Sequence, residues 1–244
     1  MLDARPARGW LPYVAPYALF LILVELERRL PADFVPWMLP AKAALPLAVF
    51  LAFALRGRFP ELRGHRWRPG GLALDVGFGV AVAALWMAPY AAGLLAGPGP
   101  QAAFDPRMLG PGREAAALAL RLLGFGLVTP FVEELFVRSF LVRAAELVSL
   151  RGLRLELDTQ RDFRDLPMAR YTAWSFWVSV LCFAGSHAVW ELPVAFATGA
   201  AYNLWLYQRG HIAPCIVAHA ASNCAIFAAV LAAAGQGGDL WYFL

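Results

Sequence analysis

Apolar runs about twenty residues long, separated by short polar stretches, recur along the whole chain. A helix rising 1.5 Å per residue needs about 20 residues to cross roughly 30 Å of hydrocarbon, so the pattern predicts about seven transmembrane helices. They fall near 10–26, 34–55, 71–95, 114–140 and 174–190, followed by one that ends near Tyr207 and a last one over 212–234. The expected fold is therefore all-α, a polytopic transmembrane helical bundle of about seven to eight spans, since a short re-entrant element would escape this reading. Residues 1–244 form a single integral membrane domain on this view, with a motif-bearing core at about 115–234. Pro36, Pro40 and Pro46 predict an irregular outer half in the second span. Gly124, Gly126, Thr129 and Pro130 predict a kink or close packing in the fourth. The first run contains Pro12 and Pro16 and ends in Glu25, Glu27, Arg28 and Arg29 with no small-residue cleavage site, so it is expected to remain a span rather than a signal peptide.

Charge refines the picture. Only 16% of the residues are charged and 60% are hydrophobic. The net charge of +4 comes from arginine, Lys42 being the one lysine. Arginines crowd 56–68 and 151–170 and recur at Arg209, and the positive-inside rule assigns these loops to the cytoplasm. An inner amino terminus with Arg5 and Arg8 followed by seven crossings satisfies all of them, and the bacterial inner (plasma) membrane is the expected location. No continuous basic face with interleaved aromatics is present, which argues against nucleic acid as a partner. The charge run over 144–170 reads as a solvated loop or interfacial helix. Trp174 and Trp177 read as an interfacial belt, Lys42 as a snorkelling side chain, Arg121 as snorkelling or paired within the bundle, and Asp75, His65 and His211 as solvated. Glu191 reads as a turn cap, and its i, i+4 relation to His187 also allows the two side chains to meet. Cys182, Cys215 and Cys224 lie in apolar runs without CxxC spacing, so they read as small buried hydrophobes.

Against that background FVEELFVRSFLVR, 131–143, stands out. An unpaired carboxylate in hydrocarbon costs at least ~2.5–3.5 kcal/mol on insertion scales, so an acidic pair in an apolar helix points to a functional site. Glu134 and Arg138 are i, i+4 and pair on one face, whereas Glu133 lies ~100° around the helix with no basic residue at i+4. Glu134 is thus the expected structural partner and Glu133 the free carboxylate. Three more polar residues lie deep in later spans: His187 in FAGSH, four residues after Phe183, and His219 and Asn223 in HAASN, which share a helix face. One carboxylate, two imidazoles and an amide make up a general base, a proton shuttle and an oxyanion stabiliser. Glu133 is ten residues from Arg143 and His219 ten from Arg209, about 15 Å each along a helix; His187 is at the same depth if Trp177 marks its interface. Glu133, His187 and His219 also make a set that zinc could use with an open fourth position, and spacing alone leaves the metal question open.

The ordered motifs E-E-x-x-x-R (Glu133, Glu134, Arg138), F-x-x-x-H (Phe183, His187) and H-x-x-x-N (His219, Asn223), each in an apolar run, resemble those of the CAAX-processing and bacteriocin-processing membrane proteases, the type II CAAX prenyl endopeptidases. The resemblance covers roughly 118–231, and the general layout of the first hundred residues is similar to an exosortase-associated bacterial subgroup. It implies an intramembrane endopeptidase in which Glu133 activates water with help from His187, His219 and Asn223 stabilise the oxyanion, and Glu134, Arg138 and Phe183 provide structural support. The implied partners are membrane lipid and a peptide or lipidated protein cleaved near its membrane end. The resemblance favours a metal-free reaction over a zinc-dependent one. Two other classes use similar residues: a non-catalytic membrane scaffold, which would tolerate loss of Glu133, and a transporter, which predicts inverted repeats that are not evident here.

Overall fold

Proline near the first turn starts five of the seven long helices, where its missing N–H is an orphan anyway. The computed structural model describes residues 9–31, 34–98, 105–151 and 154–244; Arg5 and Arg8 lie outside them. The helices are α1 (Leu11–Arg29), α2 (Val35–Ala54), α3 (Pro69–Ala91), α4 (Pro111–Ala145), α5 (Ala173–Gly185), α6 (Leu192–Arg209) and α7 (Ile212–Gly235). Two helices use side-chain caps: Thr172 Oγ1 accepts from the Ser175 amide at 3.1 Å at the start of α5, and His211 Nδ1 accepts from Ala213 at 3.1 Å at the start of α7.

Four helices, α3, α4, α7 and most of α2, are long and apolar enough to cross a membrane. The other three fall short for visible reasons. α1 ends in four charged residues, α5 has 13 residues, and α6 ends in Gln208 and Arg209. The fold is thus an all-α bundle with one small exception. Two short strands, β1 (Val148–Arg151) and β2 (Arg154–Leu157), pair antiparallel where a loop or interfacial helix was expected. The alternation of Val148, Leu150, Leu155 and Leu157 with polar residues has period two, which the surrounding charges obscure.

Five other expectations are corrected. Asp75 is fully buried, not solvated: its carboxylate accepts from Arg209 Nε at 2.8 Å, Arg209 Nη2 at 3.1 Å and the Trp205 indole at 3.2 Å. A buried charge must be paired, and this one joins α3 to the C-terminal end of α6. Lys42 does not snorkel but pairs with Glu27 of α1. His65 and His211 are not freely solvated either, their rings lying 4.7 Å apart. Partial burial pushes the His65 imidazole below its usual range, and the neighbouring His211 and Arg209 push it the same way. Cys182 is exposed on the outer face of α5, while Cys215 is buried as expected.

α3 and α7 pack most closely, and Gly79 permits it: a Cβ there would lie 2.1 Å from the Ala218 carbonyl and 2.9 Å from Ala221 Cβ. Only a small residue lets two membrane helices approach this far. Gly79→Ala is expected to force the helices apart and destabilise the protein by about 1–3 kcal/mol, the usual range for overpacking, read as a lowered unfolding midpoint in detergent. An unchanged midpoint would mean that the α3–α7 contact relaxes freely.

Candidate active site

α4 is 35 residues long and is not α-helical throughout. Two π-helical stretches, Leu122–Val128 and Leu135–Leu141, flank a single α segment, Thr129–Glu134, whose last two residues are the glutamates. Pro130 lacks an N–H and crowds the preceding turn, which gives a cause for the first widening. π-bulges leave carbonyls without their i+4 amide and concentrate at functional sites. Side chains claim carbonyls here. Thr129 Oγ1 donates to the Gly124 carbonyl at 3.0 Å, Asn223 Nδ2 to the Phe125 carbonyl at 2.7 Å, and Arg143 Nε to the Ser139 carbonyl at 2.5 Å. Asn223 of α7 is thereby tied to the stretch of α4 just before the glutamates, its second amide hydrogen without a partner among the described residues.

The two glutamates have different surroundings. Glu134 is completely buried and accepts from Arg138 Nη1 at 3.1 Å, the i, i+4 pair read from the sequence. The same oxygen takes His219 Nδ1 at 2.8 Å, so the structure places His219 on Glu134 and joins α7 to α4 through a three-membered hydrogen-bonded cluster. With a carboxylate in front of it, Nδ1 carries a proton, which leaves Nε2 facing away as the reactive nitrogen. The Arg138 guanidinium also lies over the Phe183 ring at 4.4 Å and the Tyr202 ring at 5.3 Å. Phe183 therefore supports the cluster from α5, and Gly199 of α6 makes room for its ring.

Glu133 is 4% exposed and makes no ion pair among the described residues. Its Oε1 accepts a hydrogen bond from the Tyr17 hydroxyl of α1 at 3.0 Å. The motif reading missed Tyr17, because no spacing within one helix connects residues 116 positions apart. Ser186, next to His187, lies near the Tyr17 hydroxyl.

His187 differs from expectation. It follows the end of α5 and sits in the bend before a short 3₁₀ turn, Val189–Glu191, so F-x-x-x-H straddles a helix end. Its Nδ1 lies 2.7 Å from the Phe183 carbonyl and 3.4 Å from Ser186 Oγ. Donation to that carbonyl puts the proton on Nδ1 and leaves Nε2 as a free base. Trp86 of α3 packs on the ring at 5.2 Å. Glu191 accepts from the Ala188 amide at 2.9 Å and closes the turn that holds the histidine.

Residues 115–225 match the family model described as type II CAAX prenyl endopeptidase Rce1-like. Over that segment the chain is similar to the CAAX-processing and bacteriocin-processing proteases. No curated protein and no solved structure matches it significantly. The family segment contains all of Glu133, Glu134, Arg138, Phe183, His187, His219 and Asn223, while Tyr17 lies outside it. That likeness and the four helices long and apolar enough to cross a membrane together support an integral membrane protein. Among the described residues, no three His, Cys, Asp or Glu side chains come together in a way that could hold a metal ion. Glu133, His187 and His219 thus do not form a ligand set in this geometry.

Proposed function

We propose that the protein is an intramembrane endopeptidase that hydrolyses a peptide bond near the membrane end of its substrate, in CAAX-type or related carboxyl-terminal processing. The observation that carries this reading is the contrast between adjacent carboxylates. Glu134 is consumed by Arg138 and His219, whereas Glu133 is buried, held by a neutral hydroxyl and free of any cation among the described residues. A structural carboxylate in an apolar bundle is neutralised by a partner; a general base is held in place and left able to take a proton.

The chemistry then divides as follows. Glu133, helped by Nε2 of His187, takes the proton of an attacking water. Asn223 offers its free amide hydrogen to the oxyanion, with its other hydrogen fixed on the Phe125 carbonyl. His219 presents Nε2; when that nitrogen also carries a proton, the Glu134 carboxylate at Nδ1 offsets the imidazolium charge. No step is routed through a metal. The substrate is a peptide or lipidated protein reached within the membrane. Arginines on the loops 56–68 and 151–170 support a cytoplasmic amino terminus in a bacterial plasma membrane.

The test is a survey of carboxyl termini in the membrane proteome of cells that carry either the native chain or Glu133→Gln. New carboxyl termini are expected with the native chain and are expected to vanish with the variant. Identical sets at equal expression would reject the protease reading.

A further inference from the structure

The catalytic motifs all lie within 115–225, yet one contact to the catalytic carboxylate comes from far outside it. Tyr17 is 3% exposed and its hydroxyl is 3.0 Å from Glu133 Oε1. Its ring is clamped: it stacks on Phe136 of α4 with centroids 4.9 Å apart, and on Phe20 of α1 at 6.4 Å. Phe136 lies three residues after Glu133, so the helix that carries the carboxylate also fixes the tyrosine that reaches it. Ser186 lies near that hydroxyl, and its Oγ is 3.4 Å from His187 Nδ1. One phenol therefore stands between the glutamate of α4 and the histidine turn after α5.

α1 makes a second contact of the same kind one turn earlier. Tyr13, on the same face, donates to Glu61 Oε2 at 3.0 Å, and Glu61 pairs with Arg143 at the inner end of α4. There the carboxylate has a cation and the tyrosine is an accessory. At Glu133 the tyrosine is the only hydrogen-bond donor among the described residues.

We propose that Tyr17 is a positioning residue of the active site: its hydroxyl fixes Oε1 of Glu133, directs the second carboxylate oxygen to the attacking water and registers the carboxylate against the His187 turn. The proposal rests on the protease reading above. It makes α1, which lies outside the family segment, part of the catalytic apparatus. No bond to Tyr17 forms or breaks; the hydroxyl keeps its proton while Glu133 takes one from water. A hydrogen-bonded partner that orients a reacting group changes rates about 10–100-fold when removed, and its effect falls on turnover rather than binding.

The experiment compares the purified full chain with Tyr17→Phe, Tyr13→Phe, Glu133→Gln and the double variant Tyr17→Phe/Glu133→Gln, using a quenched farnesylated CAAX peptide as probe. Tyr17→Phe keeps the ring and its stacking. It is expected to lower kcat about 10–100-fold with KM within about twofold. Tyr17→His, which keeps a donor, is expected to regain part of that loss, and Tyr13→Phe to stay within about twofold of native. In the Glu133→Gln background, loss of the Tyr17 hydroxyl should change the residual rate less than about twofold, because the two act as one unit. A substrate-independent readout runs in parallel: with ¹³C-carboxyl glutamate, the infrared difference between native and Glu133→Gln isolates the Glu133 band, and Tyr17→Phe should shift it. An unshifted band, or native kcat in Tyr17→Phe while Glu133→Gln is inactive, overturns the role of Tyr17 and leaves the protease standing. Equal turnover by native chain and Glu133→Gln, or none by either together with unchanged carboxyl termini in cells, overturns the protease and this role with it, whatever the infrared band does.

Discussion

Glu133→Gln is expected to lower peptide hydrolysis by about 10²–10⁴-fold while leaving the unfolding midpoint of the detergent-solubilised protein almost unchanged. The kinetic half follows from chemistry: an amide has the size and shape of the carboxylate but takes no proton from water, so the step that makes the nucleophile loses its base. The structural half follows from partners. Glu133 holds one hydrogen bond, from the neutral Tyr17 hydroxyl, and glutamine can accept that bond through its own oxygen. No cation is stranded, because among the described residues none faces Glu133. Removing a buried charge without leaving a partner unpaired is close to neutral for stability. The measurement is paired, with turnover of a quenched peptide and an unfolding curve on the same preparation. A variant that keeps native turnover would remove Glu133 from the mechanism. One that loses turnover only because it unfolds would make Glu133 structural and dissolve the contrast with Glu134.

What the chain's pattern revealed and what it concealed divide along a physical line. Relations within one helix were legible. The Glu134–Arg138 pair follows from a spacing of four, and the shared face of His219 and Asn223 is borne out in that both point from α7 toward α4. The disturbance around Gly124–Pro130 was legible too, although only the coordinates reveal two π stretches instead of a simple kink. Relations between helices were not legible. Nothing local marks Tyr17 as different from Tyr13, or Asp75 as the partner of Arg209, since each meets its counterpart only once the helices pack. The end of α5 was hidden for another reason. The apolar run continues through Ala188 and Val189, so hydropathy carries the span past His187, while Gly185 and Ser186 end the helix before it. The seven apolar runs become seven helices, of which four, among the described residues, are long and apolar enough to cross a membrane alone.

Glu134→Gln is expected to behave in the opposite way to its neighbour, lowering stability by about 3–5 kcal/mol. Arg138 is fully buried, and its Nε and Nη2 already have no hydrogen-bond partner among the described residues, so the single contact of Nη1 with Glu134 at 3.1 Å is where its charge is met. The rings of Phe183 and Tyr202 add cation–π attraction, worth up to about 2 kcal/mol in a desolvated site and too little to hold a guanidinium there alone. Neutralising Glu134 strands that guanidinium in an apolar bundle, because the amide oxygen that would still accept from Arg138 and His219 carries no charge to meet it. The sign can be checked internally. Breaking a buried pair from one side is costly, whereas replacing both members by apolar residues of similar volume is often neutral, so Glu134→Leu/Arg138→Met should recover much of the loss in unfolding free energy without restoring turnover. Turnover stays low because His219 still lacks the carboxylate that orients it. Should Glu134→Gln unfold like the native chain, the buried charge would have to be met elsewhere, and the assignment of adjacent glutamates to separate tasks, one to hold the bundle and one to act on water, would fail at its structural half.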